Sequence, residues 1–247
     1  MENKDYIKIP APFSLPTNTN LQKKLDDSAW KQNVFFHLLS FYKNCYCSEL
    51  LKQIIEKAEQ NPKLKVEDEI AKFIRKYLRK DDLFCQQGLS CDGGILNDED
   101  VKGIYDISFS HSYWRKNNQK ITFHFECKNL TNTQNLVNKY VYYNTGNQVF
   151  DGGVYRFFNG KYAQNEDFGG MIGFVLDEHL FVIKNKIFKK IQETTFDTTP
   201  EGDFIRINDN SIENNDFTFD SYHNRQNKEF VIHHLLFNMP VNNHINL

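Results

Sequence analysis

The chain has 247 residues, 40% of them hydrophobic, with 22 Phe and 12 Tyr, which suits one large α/β domain or a domain with a substantial insertion. A mean hydropathy of −0.62, with no uninterrupted apolar run near the roughly 18 residues of a membrane span, argues against a membrane-spanning chain. The net charge of −2 and pI near 6.4 lack the global positive field of a dedicated duplex-binding protein, so any nucleic-acid affinity must come from local patches or a partner.

The first residues, MENKDYIKIPAPF, carry charges and no apolar signal-peptide core. Five cysteines, an odd number in no regular framework, point to reduced thiols and a cytoplasmic location. Abundant Lys, Asn, Ile and Phe match the coding bias of an AT-rich bacterial genome. Residues 1–20, rich in Pro, Asn and Thr, read as an extended arm. Residues 21–65 read as a helical N-terminal addition in two pieces. One carries Trp30, Val34, Leu38 and Phe41 at helical spacing, and the other Leu50, Leu51, Ile54 and Ile55.

After Asn61-Pro62 a new helix is expected from Val66. Its apolar stripe is Val66, Ile70, Phe73, Ile74, Tyr77 and Leu78. Glu67 falls on the edge of that stripe, while Glu69 points the opposite way. The run Glu67, Asp68, Glu69 also complements the positive end of the helix dipole. Lys72, Arg75, Lys76, Arg79 and Lys80 form one basic cluster, and Lys184, Lys186, Lys189 and Lys190 a second. Such runs are usually solvated faces. Residues 85–103, with Cys-Asp-Gly-Gly and an acidic run, read as a loop.

Residues 104–130 carry the chemistry. Two β-rich runs, 104–113 and 121–130, flank a polar, turn-prone centre and predict a β-hairpin. Alternation puts Ile121, Phe123, Phe125 and Cys127 on one face and Thr122, His124, Glu126 and Lys128 on the other. In the first run Tyr105, Ile107 and Phe109 share a face, opposite Asp106, Ser108 and Ser110. If both apolar faces meet one core, Asp106 lies on the side of Glu126 and Lys128. A turn near Asn117–Asn118 puts position 106 across from residues 126–129. Two carboxylates and an ammonium can hold a hard divalent cation and position an attacking water. A solvated surface hairpin is the structural alternative.

Beyond the hairpin, Leu130, Leu136, Val137, Tyr140 and Val141 predict a helix carrying Gln134 and Lys139. An aromatic stretch follows, in which Arg156 and Lys161 interleave with Tyr155, Phe157, Phe158 and Tyr162. That pattern fits nucleic-acid contact, and fits better core aromatics with snorkelling cations. A buried strand is expected at 171–176, a strand or helix at 177–190, a short strand at 204–207 and a terminal strand at 229–239. His223 and Arg225 share parity and are placed at the mouth of a cleft. Adjacent His233 and His234 must face opposite ways, one as a hydrogen-bonded core histidine. Cys45 and Cys47 lack the spacing and partners of a zinc site, buried Cys127 is not a nucleophile, and no phosphate-binding glycine motif occurs.

Asp106 followed twenty residues later by Glu126-Cys127-Lys128 resembles the D…(D/E)xK core of the PD-(D/E)xK nuclease superfamily, the restriction-endonuclease-like fold. Tyr105 stands where that family often has Pro. The resemblance implies an α/β fold, a mixed central β-sheet flanked by helices, in a single domain spanning 1–247. Its core would cover 66–185, with the helical addition before it and a C-terminal β addition at 186–247. It further implies Mg²⁺, or Mn²⁺, held by Asp106, Glu126, Glu67 and the backbone carbonyl of Cys127, with Lys128 orienting the water. Gln134, Lys139, Arg156, Lys161, His223 and Arg225 are the expected nucleic-acid contacts. The implied function is a DNA endonuclease of a bacterial restriction or anti-phage defence system, directed by a partner protein or by homo-oligomerisation. The alternative is a catalytically silent subunit of the same fold that binds nucleic acid or protein.

Overall fold

The structure is a computed structural model, and it describes residues 19–93, 105–116, 119–146, 149–159, 161–163, 166–177, 179–194, 203–209, 211–212 and 215–239. The expected arm, save its last two residues, lies outside that set, as does most of the loop before Asp106.

Four helices come first: α1 (Thr19–Cys45), α2 (Glu49–Gln60), α3 (Val66–Leu78) and α4 (Asp82–Gln86). Ser48 starts α2 by accepting the Leu51 N–H at 3.2 Å, and Asp81 starts α4 by accepting that of Phe84 at 3.1 Å. Strands β1 (Leu89–Asp92), β2 (Ile107–Lys116) and β3 (Gln119–Leu130) lead to α5 (Gln134–Val141). The short strands β4 (Tyr143–Asn144) and β5 (Phe150–Asp151) pair with each other. A 3₁₀ turn at Tyr155–Phe157, β6 (Phe168–Val175), α6 (Leu180–Glu193), β7 (Phe204–Asp209), β8 (Thr218–Arg225) and β9 (Lys228–Asn238) complete the order.

The protein is α/β, with a mixed seven-stranded sheet in the order β1-β2-β3-β6-β9-β8-β7 flanked by helices. The β3–β6 and β6–β9 pairs are parallel and the others antiparallel. The C-terminal strands therefore extend the same sheet, with β9 beside β6. Alternation sorts the side chains into two layers. Ile107, Phe109, Phe123, Phe125, Cys127, Ile172 and Phe174 meet Val34, Leu38, Phe41, Ile70 and Ile74 of the first helices. Leu130, Met171, Ile232 and Leu236 meet Val137, Tyr140, Ile183 and Ile187 on the other side. Among the described residues, no helix is long and apolar enough to cross a membrane.

Two expectations need correction. Residues 89–92 form an edge strand where a loop was expected. Leu89 and Cys91 point in and Ser90 and Asp92 out, but four residues are too few to show a period against the glycines that follow. Tyr105 does not share a face with Ile107 and Phe109. The chain bends at Asp106 before β2 begins, so Tyr105 packs with the opposite layer, its ring stacked on His124 at 3.7 Å.

Candidate active site

The hairpin brings Asp106 and Glu126 together through its register. Ile107 pairs with Phe125 and Ser108 with His124, which sets position 106 opposite Glu126. Closer to the tip the register changes. Between Ser110 and Arg115 five residue steps on β2 are matched by two on β3, from Thr122 to Lys120. Where β2 starts, Asp106 has left the ladder and its carboxylate takes over a backbone role. Its Oδ2 accepts the Cys127 N–H at 2.6 Å, and its own carbonyl accepts from Arg75 of α3. Burial raises the Asp106 carboxyl to about 7, aided by the neighbouring Glu126 charge and also by Asp68.

Glu126 is almost fully buried, at 1% exposure, and every oxygen has a donor. Lys128 and Arg156 donate to Oε1, the latter at 2.7 Å, and the Tyr162 hydroxyl donates to Oε2 at 2.7 Å. Burial alone would lower the Lys128 ammonium, yet the adjoining Glu126 carboxylate holds it above its ordinary value. Arg156 reaches back with Nε and Nη2 to the two oxygens of Asp151, at 2.8 and 2.9 Å. That two-pronged contact holds the Asp151 carboxyl down at about 2.

The segment presenting Arg156 and Tyr162 is tied down before Arg156 and after Tyr162. Gly152, at φ 142°, lets the chain run against the end of α5, where a Cβ would lie 2.5 Å from the Val141 carbonyl. Gly153 and Val154 then donate to the carbonyls of Lys139 and Tyr140, each at 3.0 Å. Ala163 is held at φ 51°, a region unfavourable to residues with a Cβ. The Tyr105 hydroxyl accepts its N–H at 2.8 Å, and Arg225 donates to its carbonyl at 2.7 Å.

The other expected site residues separate. Glu67 accepts from the Asn129 side chain, one residue past Lys128, while it is Asp68 whose charge reaches Asp106. Lys161 lies 3.8 Å from Asp151 at the margin of the cluster. Gln134 and Lys139 are exposed on α5, Gln134 bonded to Asn138 at 3.0 Å. His223 is not at a cleft mouth. It is 2% exposed and bonded to Ser221 at 2.8 Å, because β8 turns it under the aromatic layer, so it offers no surface to a nucleic acid. Arg225 is likewise a structural clamp, bonding the carbonyls of Phe157, Ala163 and Glu166 and lying 3.8 Å over the Phe230 ring. The basic cluster on α3 also divides, since Arg75 and Arg79 turn to backbone carbonyls of Asp106 and Cys91. Arg156 is neither a surface contact nor a snorkelling cation, but a member of the cluster. Tyr162 and Asp151 are members the sequence reading did not single out. Their only signal was the interleaving of Arg156 and Lys161 with aromatics.

Among the described residues, no group of three His, Cys, Asp or Glu side chains is arranged to hold a metal ion. The available oxygens are the carboxylates of Asp106 and Glu126 and the Cys127 carbonyl. In an extended strand that carbonyl points to the same side as the Cys127 N–H, toward Asp106. A groove of about 680 Å³ between α2 and α3, floored by Ile54, Phe73 and Tyr77, shares none of these residues. No protein-family model, no curated protein and no solved structure matches the chain.

Proposed function

We propose that the protein is a metal-dependent nuclease that hydrolyses phosphodiester bonds, with the Asp106–Glu126–Lys128 cluster as its active site. The observation that carries this reading is the bond from the Cys127 N–H to the Asp106 carboxylate, which locks one acid beside a second, buried acid and an ammonium. With α4, the β4–β5 pair and the 3₁₀ turn set aside as insertions, α3, β1 to β3, α5 and β6 run helix, strands, helix, strand, the core order that the resemblance to the restriction-endonuclease-like fold implies. The donor set fits a hard divalent cation, because two crowded carboxylates and a carbonyl are oxygen ligands whose mutual repulsion a cation relieves. Asp106, Glu126 and the Cys127 carbonyl would hold Mg²⁺ or Mn²⁺. A bound ion supplies Lewis-acid activation of water and neutralises charge on the phosphate.

The chain's own groups do the rest. Asp106 is aimed by the Cys127 N–H and by the Arg75 anchor on its carbonyl. Lys128, kept protonated beside Glu126, orients the water and offsets the negative charge that develops on the phosphate. Glu67 supports the end of β3 through Asn129. DNA is the favoured substrate, and a partner protein or second copy would supply the affinity that the weakly acidic chain lacks. One observation favours the silent-subunit alternative: Glu126 already has a donor on each oxygen.

Purified protein with plasmid, linear DNA and RNA, in Mg²⁺, Mn²⁺ or EDTA, decides between them. Cleavage should require the ion and fall about 100-fold or more in Lys128→Ala and Asp106→Asn. If both variants cut as well as the parent, the mechanism is wrong.

A further inference from the structure

Glu126 is proposed above as a cation ligand, yet in this structure its Oε1 accepts from two positive side chains at once. Lys128 belongs to the expected motif, but Arg156 does not. Arg156 comes from a different element, the 3₁₀ turn at Tyr155–Phe157, and bridges Glu126 to Asp151. The Asp151 contact uses Nε and Nη2 and leaves Nη1 for Glu126 and the Tyr162 hydroxyl. A guanidinium so held is anchored by one acid and offered to another. Its side chain is 26% exposed, against 2% for Glu126, so it stands between the buried carboxylate and the solvent.

We propose that Arg156 is an internal stand-in for the divalent cation, a positioning residue that neutralises Glu126 until the ion arrives and must give up that contact when it does. The inference rests on the nuclease reading above, since the ion it opposes is the one proposed there. Two features suit the role. Asp151 gives Arg156 a partner to keep after Glu126 is released, so release leaves no buried charge unpaired. Tyr162 holds the other oxygen of Glu126 without adding charge, so the carboxylate keeps its orientation while Arg156 withdraws. Arg225 and the Tyr105 hydroxyl hold the backbone at Phe157 and Ala163, on either side of Tyr162, so the change falls on the Arg156 side chain and not on its backbone. The effect is to make ion binding weaker than the bare carboxylates would give, and to free a cation beside the scissile phosphate as the ion enters.

Calorimetric titration of the full chain with Mn²⁺, without substrate, tests this. Arg156→Gln removes the competing charge and should tighten Mn²⁺ binding by at least about tenfold, the lower end of the scale for a full charge removed a few ångströms from a divalent ion. Arg156→Lys keeps the charge and should stay nearer the parent. A measurement on the parent does not depend on either variant being stable. The Arg156 Nη1–H resonance, assigned through the bonds of the Arg156 side chain in the parent, should move with Mg²⁺ along the calorimetric saturation curve. Arg156→Gln binding Mn²⁺ no tighter than the parent overturns the proposal, as does a resonance that stays still while Mg²⁺ saturates. Absence of any Mn²⁺ binding to the parent overturns the nuclease reading itself, and with it this inference. Binding that is lost in Asp106→Asn but unaltered in Arg156→Gln overturns the inference alone.

Discussion

Two polar clusters, around Glu126 and around His234, lie on the same face of the sheet on either side of Met171, and they are built on opposite principles. Around Glu126, three carboxyl groups and three bases (Asp106, Glu126 and Asp151 with Lys128, Arg156 and Lys161) crowd together near the end of β3, and burial draws Asp106 towards its neutral form. Around His234, hydrogen bonds take the place of ion pairs. Tyr140 meets His234 Nδ1 at 2.9 Å, Ser221 meets its Nε2 at 2.8 Å, and His223 joins the same Ser221 hydroxyl at 2.8 Å. Burial pushes the His234 imidazole well below its usual range, so it stays uncharged. Neutral groups in a closed chain of hydrogen bonds cost little and fix one packing. Charged groups crowded beside a bent, constrained backbone are expensive, and that cost is what the proposed active site would account for.

Substitutions can break this contrast. The largest effect is expected at Glu126. Glu126→Ala leaves Lys128 and Arg156 without their shared carboxylate and should cost about 3–5 kcal/mol in denaturant unfolding, and on the proposed nuclease reading it should also abolish cleavage. His234→Ala should cost about 2–4 kcal/mol through a cavity and the orphaned Tyr140 hydroxyl, while on the proposed nuclease reading the folded fraction should cut normally. A specific loss of cleavage in folded His234→Ala would erase the distinction between the clusters.

Asp106 gives a pH-dependent test. Its carboxyl is raised from 3.8 to about 7, so between those values the folded chain holds a proton that the unfolded chain has released. This group's contribution to stability therefore falls as pH rises through that window and is flat above it. Asp106→Asn should gain on the parent from pH ~4 to ~7, by up to about 2–3 kcal/mol after discounting for solvent at a half-buried group. A constant difference across the window would mean that Asp106 ionises normally. The smallest effect is expected at Ala163→Gly, where relief of the φ 51° conformation offsets the added chain entropy to within about 1 kcal/mol.

What was legible in the sequence was periodic. Alternation along 121–130 separated Phe123, Phe125 and Cys127 from Glu126 and Lys128, and helical spacing along α3 marked Ile70, Ile74 and Leu78 as buried. Hairpin pairing then placed Asp106 near Glu126. What escaped had no period to read. Asp151, Arg156 and Tyr162 reach the cluster only because glycines at 152 and 153 press their segment against α5 and Arg225 clamps it from β8. Parity misled at Tyr105, because alternation holds only while the chain remains a strand and the bend at Asp106 ends it. Parity placed Arg225 on the correct side with His223, but could not say that both serve the interior.

The irregularity between Ser110 and Arg115 has a practical consequence for altering this molecule. A slip of one residue in an ordinary hairpin exchanges its two faces from tip to base. Here the pairing of Ile107–Ser110 with Thr122–Phe125 is held separately from that of Arg115 and Lys116 with Gln119 and Lys120. The hairpin is thus two ladders in series, and only the one at its base sets Asp106 against Glu126. Residues inserted at the far end would change the reach of the hairpin without resetting that base, which makes the tip a natural port for a grafted loop or a reporter group.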